Sequence, residues 1–272
     1  MRLFVTGLGG YLGRAIAAAA PGEVAGTVRE RPAPPGTRAF GIDVRDLDAV
    51  AAAVMESRPD AVVHTAYVQQ GEDMRSVNVE GSAAVARAAR SGGLRLVHLS
   101  SDAIFAGDLG RPVREDDPAT PVTVYGQSKA EAELAVLEAH PDALLIRTSL
   151  IYGGDQPSPH ESRALSPELS FYSDEIRCPI AVPDLAAAVI ELAALPDLGG
   201  PLNVAGADAV SRLEFARLIT TAYGRDPGAV RGGSRPPGRP GDVTLDCTRA
   251  TAVLRTRLRG VREVLTPGTR RL

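Results

Sequence analysis

The sequence predicts an α/β fold, a doubly wound parallel sheet followed by a smaller C-terminal α/β region. Short β-branched runs alternate with alanine-rich helical stretches as far as Tyr152, the pattern of a parallel sheet covered by helices. A glycine cluster joins the first run to the first helix, and beyond Tyr152 a polar, proline-punctuated stretch takes over. Residues 1–152 are therefore expected to form the sheet domain, with residues 183–196 packing back on it and 153–272 forming the second region.

Strands are expected at Leu3 to Thr6, Val24 to Val28, Arg38 to Ile42, Ala61 to Ala66, Arg95 to Ser100 and Ala143 to Thr148. Helices are expected near Gly10 to Ala20, Leu47 to Ser57, Met74 to Arg90 and Tyr125 to Ala139. Gly153 to Pro167 reads as a loop. Pro183 to Leu195 reads as a helix with proline in its first turn, and Pro201 to Ala205 as a strand. Ser211 to Tyr223 reads as a helix capped by Ser211, with Glu214 at the capping-box position. Gly228 to Gly241, rich in Gly, Pro and Arg, reads as another loop.

The 272 residues carry 44% hydrophobic and 23% charged side chains, ordinary globular values for a chain able to bury a substantial core. A formal net charge of -3 gives no electrostatic case for a nucleic-acid or membrane partner. No segment approaches the ~18 apolar residues of a membrane span, and Gly7, Gly9, Gly10, Gly13 and Arg14 interrupt the apolar N-terminus against a secretory signal. Cys178 and Cys247 fit no metal spacing and read as small apolar residues in a reducing, cytoplasmic setting. His64 and His98 lie inside strand-like runs, where packed, hydrogen-bonded histidines are expected in preference to metal ligands.

Thr6-Gly7-Leu8-Gly9-Gly10-Tyr11-Leu12-Gly13-Arg14 follows the first strand and opens the first helix, the context a phosphate-cradling turn requires. The operative spacing is Gly7, Gly10 and Gly13, because position 12 is leucine. A tight turn without a ligand is the plain alternative. Placement on the first strand of a doubly wound sheet favours a Rossmann-type dinucleotide site. The expected cofactor contacts are Gly7, Gly10, Tyr11, Leu12, Gly13, Arg29, Asp43, Val44, Thr65, Ala66 and Lys129, with Asp43 accepting from an adenine amine. At the tip of the second strand the chain reads Gly26-Thr27-Val28-Arg29, with no acid before Glu30. Arg29, aided by Arg14, suits a 2′-phosphate, so NADPH is expected, with NADH as the alternative and a solvated surface arginine as the plain reading.

Of 30 basic residues, 29 are arginine, and the single lysine, Lys129, stands four residues after Tyr125. Positions i and i+4 share a helix face, and a compact ammonium beside a phenol can tune it where a guanidinium fork cannot. With Ser101 at the end of the fifth strand in Leu99-Ser100-Ser101-Asp102, the three form a carbonyl-reducing constellation. Serine polarises the ketone, Tyr125 supplies the proton, and Lys129 binds nicotinamide-ribose hydroxyls while lowering the phenol pKa.

These features resemble the extended short-chain dehydrogenase/reductase family, and within it the dTDP-4-dehydrorhamnose reductase-like branch. The likeness runs nearly end to end, through Asn78-Val79-Glu80-Gly81, Ser100-Ser101-Asp102-Ala103-Ile104-Phe105, Arg147-Thr148-Ser149-Leu150-Ile151-Tyr152-Gly153, Pro179-Ile180-Ala181-Val182-Pro183-Asp184-Leu185 and Leu202-Asn203-Val204-Ala205-Gly206. The resemblance implies that Ser101, Tyr125 and Lys129 are catalytic and that Asn78 organises the site, a helix asparagine bonding nearby backbone being the alternative. Asp102 would lie beside substrate or cap a turn. Residues 153–272 would mainly bind substrate.

The related dehydratases carry an Asp-Glu pair where this chain has Asp102-Ala103, so dehydration is disfavoured. Leu150 stands where the reductase branch often has an aromatic residue, and the segment from Gly153 to Glu175 looks short and loop-like. Arg163, Arg177, Arg231, Arg235 and Arg239 are candidates to clamp a diphosphate, each read singly as a solvated loop arginine. The expected activity is NADPH-dependent reduction of a small-molecule ketone, a 4-keto sugar nucleotide or similar, by a monomer or homodimer. An epimerase, a natural-product ketoreductase and a non-catalytic cofactor-binding subunit are the alternatives.

Overall fold

The structure is a computed structural model that describes residues 1–166 and 169–270. The chain forms two compact units. One comprises Met1–Ser101, Val124–Arg147 and Ala186–Leu202; the other comprises Asp102–Thr123, Thr148–Leu185 and Asn203–Leu272.

In the first unit, β1 (Leu3–Thr6), α1 (Tyr11–Ala19), β2 (Val24–Val28), β3 (Arg38–Gly41), α2 (Leu47–Ser57) and β4 (Ala61–His64) follow in order. A π-helical turn at Ser76–Gly81 runs into α3 (Ser82–Ser91), and then come β5 (Arg95–Ser101), α4 (Val124–Ala139) and β6 (Leu144–Thr148). The sheet has seven strands in the order Gly200–Asn203, β6, β5, β4, β1, β2, β3. β1 runs parallel to β2 and β4, β2 to β3, and β4 to β5. Every residue of β1 and β4 is buried, as expected for parallel strands covered on both faces. Chain order reverses beside β1, and in such sheets the crevice at the strand ends there receives ligands.

The elements follow local chemistry. Asp46 caps α2 by accepting from the Ala49 N–H at 3.0 Å. β4 stops short of the expected Ala66 because the Thr65 hydroxyl donates to the Thr6 carbonyl and Ala66 leaves the ladder. The helix begins at Met74 as expected, but Ser76–Gly81 within it is π-helical, a geometry that often marks functional positions. Phe4, Val54, Val62, Val85, Leu96 and Leu145 build the core of this unit.

The second unit departs further from expectation. Within the segment read as a loop from Gly153, Pro159–Ala164 is helical: Ser158 caps it, and the Glu161 carboxylate returns to the Ser158 N–H at 2.8 Å. Proline at the first helical position, read as punctuation, is part of that start signal. Pro167, the expected end of the loop, lies outside the described residues. Ser170–Tyr172 pairs in parallel with Arg231–Gly233, a strand inside the stretch expected to be wholly loop. The helix Arg212–Ala222 is capped by Ser211, but the box is half formed because the Glu214 carboxylate goes to Arg262. Tyr152, Phe171, Phe215 and Ile219 centre this unit's core, with the Tyr152 and Phe215 rings edge to face at 5.4 Å.

Candidate active site

The glycine turn is built from close approaches. Gly7 has φ +72, and a Cβ there would sit 3.0 Å from the Ala66 backbone and 3.1 Å from the Thr65 hydroxyl. Gly10 donates to the Gly7 carbonyl at 2.8 Å. A Cβ on Gly13 would lie 2.9 Å from Leu8 Cα, so glycine lets α1 pack on the turn. No side chain caps α1 at Gly10; its N–H groups and positive dipole end are offered to an anion. Leu12 and Gly13 are buried and Tyr11 is half-buried. The glycines let the turn close tightly on itself at an uncapped helix start, which fits a dinucleotide pyrophosphate.

At the strand tips Arg29 is exposed, with no ion-pair partner among the described residues. Arg14 reaches the same loop, donating to the Pro32 carbonyl at 3.0 Å. Asp43 holds a bidentate ion pair with Arg45, at 3.0 and 2.7 Å; that hydrogen bonding keeps its carboxyl down at about 2. The arrangement fixes Asp43 as an ionised acceptor. Val44 is buried against Gly81, where a Cβ would approach its Cγ2 to 2.8 Å.

Ser101 closes β5, half-buried, and Tyr125 stands in the first turn of α4, also half-buried. Lys129 lies one turn on, almost fully buried, and its Nζ donates to the Leu99 carbonyl at 2.7 Å. Burial lowers its pKa to about 8, with Glu133 pulling the other way. Glu133 is itself committed to Arg147, with contacts of 3.1 and 2.8 Å and both side chains buried. The buried stripe of α4 is thus Lys129, Ala132, Glu133 and Val136, a core-facing row with two charges in it.

Asn78 is fully buried and does more than either sequence reading allowed. Its Oδ1 accepts from the Val68 N–H, and its Nδ2 donates to the Val68 carbonyl and to Ser128 Oγ, each at 2.9 Å. Ser128 Oγ in turn donates to the Tyr125 carbonyl at 2.8 Å. The asparagine therefore ties the chain after β4 to the tyrosine turn of α4. That tie positions Tyr67, which sequence reasoning missed: its ring lies 6.1 Å from the Tyr125 ring and 6.0 Å from Lys129 Nζ. Its only sequence signal was its place immediately after Thr65 and Ala66 at a strand end.

His64 is hydrogen-bonded to Thr6 and Ser82, whereas the His98 ring nitrogens have no hydrogen-bond partner among the described residues. The rings lie 5.1 Å apart, and burial, reinforced by the Lys129 charge, depresses both pKa values and keeps both neutral.

In the second unit Asp102 begins a short 3-10 turn and is buried. Its carboxylate accepts from Ser149 Oγ at 2.6 Å and faces Arg177 Nε at 3.4 Å. Three of the arginines read as solvated are paired instead. Arg177 is 4% exposed and meets Asp102 and Glu175, Arg239 makes a bidentate pair with Glu175, and Arg235 bonds Asp174. A guanidinium with two carboxylate oxygens and the Ile176 and Gly241 carbonyls within reach has no need of water. Arg163 and Arg231 are exposed as expected.

The RmlD substrate binding domain family model matches residues 1–270. A dTDP-4-dehydrorhamnose reductase of Mycolicibacterium smegmatis is 32% identical over 97% of this chain and 84% of the relative. A probable dTDP-4,6-dihydroxy-2-methyloxan-3-one 4-ketoreductase of Streptomyces antibioticus is 31% identical over 85% of this chain and 80% of its own. The crystal structure of a hypothetical dTDP-4-dehydrorhamnose reductase from Sulfolobus tokodaii superposes with a TM-score of 0.81 at 27% identity, covering 95% and 97% of the two chains. Among the described residues no helix is long and apolar enough to cross a membrane. Matched along its length by the family model, and by relatives above 30% identity over most of that length, the chain belongs to the RmlD substrate binding domain family.

Proposed function

We propose that this protein is an NADPH-dependent reductase of a 4-keto sugar nucleotide of the dTDP-4-dehydrorhamnose kind. The observation that carries the reading is the one buried ammonium, Lys129, held to β5 two residues before Ser101 and one helical turn from Tyr125. The relatives named as reductases of dTDP-linked keto sugars support the substrate class. The sheet unit takes the dinucleotide, with the glycine turn on the pyrophosphate and Arg29 on the 2′-phosphate, and residues from 153 onward mainly recognise substrate.

When bound, reduced nicotinamide supplies the hydride. The Ser101 hydroxyl donates to the ketone oxygen and makes its carbon electrophilic. Tyr125 gives its phenolic proton to that oxygen as negative charge develops there. Lys129 favours the phenolate left behind and donates to ribose hydroxyls, which sets the ring and the phenol at one depth. Asn78 and Ser128 keep the tyrosine turn in place throughout.

The test follows NADPH absorbance with dTDP-, UDP- and GDP-linked 4-keto sugars and with simple ketones. A dTDP-linked keto sugar is expected to consume NADPH with release of oxidised cofactor each turnover, which separates a reductase from an epimerase. Tyr125→Phe should abolish turnover with NADPH affinity nearly unchanged. The reading fails if no ketone oxidises NADPH, or if the phenylalanine variant turns over at a near wild-type rate.

A further inference from the structure

The glycine turn holds one glycine more than a phosphate cradle uses. Gly7, Gly10 and Gly13 serve the turn and the packing of α1, while Gly9 serves another contact. A Cβ built on Gly9 would overlap the Arg31 carbonyl oxygen and lie 3.0 Å from both the carbonyl carbon and the Cβ of Arg31. The backbone after β2 therefore lies directly on the turn as a strap. Its position is fixed from two sides: Arg14 donates to the Pro32 carbonyl at 3.0 Å, and Thr37 Oγ1 donates to the Pro34 carbonyl at 2.6 Å. Pro32, Pro34 and Pro35 stiffen it and reduce what ordering it costs.

The strap carries Arg31 past the glycine turn. Arg31 is exposed and has no ion-pair partner among the described residues, in a protein where most guanidinium groups meet a carboxylate or a carbonyl. Arg29 and Arg31 act on different neighbours. The Arg29 charge helps to hold down the Asp43 carboxyl at the tip of β3, whereas the Arg31 charge opposes the burial-driven rise of the Tyr67 phenol beside Tyr125 and Lys129.

We propose that Arg31 is a second phosphate-binding residue of the dinucleotide site, carried over the glycine turn by the strap to meet the pyrophosphate, while Arg29 serves the 2′-phosphate. The inference rests on the cofactor reading above. It gives Gly9 its role as the residue that admits the strap, and it gives the site a phosphate ligand from a loop as well as from backbone N–H groups.

Calorimetric titration of wild type, Arg31→Ala and Arg29→Ala with four ligands tests it: ADP, which has the pyrophosphate alone; 2′-AMP, which has the 2′-phosphate alone; NADH; and NADPH. Arg31→Ala should weaken ADP, NADH and NADPH about tenfold and leave 2′-AMP unchanged, the loss expected of a solvent-facing charge-assisted contact. Arg29→Ala should show the complementary pattern, weakening 2′-AMP and NADPH only. Gly9→Ala, which displaces the strap with every arginine intact, should repeat the loss of ADP affinity. Unchanged ADP and NADH affinity in Arg31→Ala, or a loss confined to 2′-AMP and NADPH, overturns the inference while the cofactor reading stands. A wild-type protein that binds none of the four overturns the cofactor reading and this inference with it.

Discussion

Lys129 donates to the carbonyl oxygen of Leu99 at 2.7 Å, and that bond fastens the Tyr125 helix to the strand that ends in Ser101. Glu133, one turn on, is engaged with Arg147. Among the described residues the ammonium is neutralised by no contact ion pair of its own and pays the penalty of burial, which brings its pKa from 10.5 to about 8. A cation kept under that strain serves something other than stability.

The first consequence is a pH limit. A lysine with a depressed pKa is charged below about 8 and neutral above it, so the phenol activation and ribose binding proposed for it should both be lost as pH rises through that value. The kcat/KM for the ketone should fall with an apparent ionisation near 8. A profile flat to the ordinary lysine range would show that the ammonium stays charged or is not needed.

The second consequence is a trade of stability for function. Because the folded pKa lies below the unfolded one, the unfolded chain binds more protons between about 8 and 10.5, and the fold gains stability as pH rises through that window. Below pH 8 the full penalty applies, on the order of 3 kcal/mol for such a shift. Lys129→Met should stabilise the cofactor-free protein at pH 7 by about 1 to 2 kcal/mol, the lost bond to Leu99 offsetting the rest. It should also be inactive. Lys129→Arg should be severely impaired despite its charge, since a planar fork does not fit the space of an ammonium. Chemical denaturation at pH 7 and at pH 10, with turnover assays, checks both; a destabilised methionine variant would contradict the argument.

The central sheet was legible because parallel strands buried on both faces read as short apolar runs, and the glycine turn and Tyr125 helix were legible from spacing. Most of what escaped rests on partners distant in sequence. Arg177 looks like any loop arginine until Glu175 and Asp102 converge on it. Tyr67 gains meaning only from Asn78, which binds Val68 on one side and Ser128 on the other. The helix at Pro159–Ala164 was hidden because its capping serine and first-turn proline also read as loop residues. The role of Gly9 depends on a backbone contact with Arg31 that no periodicity reports.

Asn78 offers a third prediction. Removing its amide leaves the Val68 N–H and carbonyl and the Ser128 hydroxyl short of a buried partner. Asn78→Ala should therefore destabilise the protein by about 2 to 3 kcal/mol. It should also lower kcat more than it raises the KM for NADPH, because Tyr67 and the Tyr125 turn lose their common anchor while the glycine turn is untouched. Steady-state kinetics with thermal denaturation decides; loss of stability with unchanged kcat would make the residue structural only.

The final prediction concerns Glu175. Its side chain is 3% exposed and is faced by three guanidinium groups: Arg239 at 2.7 Å, Arg177 at 3.3 Å and Arg212 at 3.9 Å. Burial already brings the Arg212 pKa to about 10, with the Glu175 charge acting against the fall. Glu175→Gln keeps the shape and removes the carboxylate that all three share. Arg239, more than a third exposed, can turn to water, but Arg177 and Arg212 are left in low dielectric with Asp102, facing Arg177, as the remaining paired carboxylate among the described residues. Breaking one partner of a buried charge group costs about 3 to 5 kcal/mol, whereas an exposed pair contributes up to about 1. Glu175→Gln should therefore lose stability on the former scale and Arg239→Ala on the latter, measured by urea denaturation at one pH and salt concentration. Adding Arg177→Met to Glu175→Gln should recover part of the loss, since it removes one stranded cation. Equal, small losses in the two single variants would mean that water reaches the cluster and that its charges are not buried in the working protein.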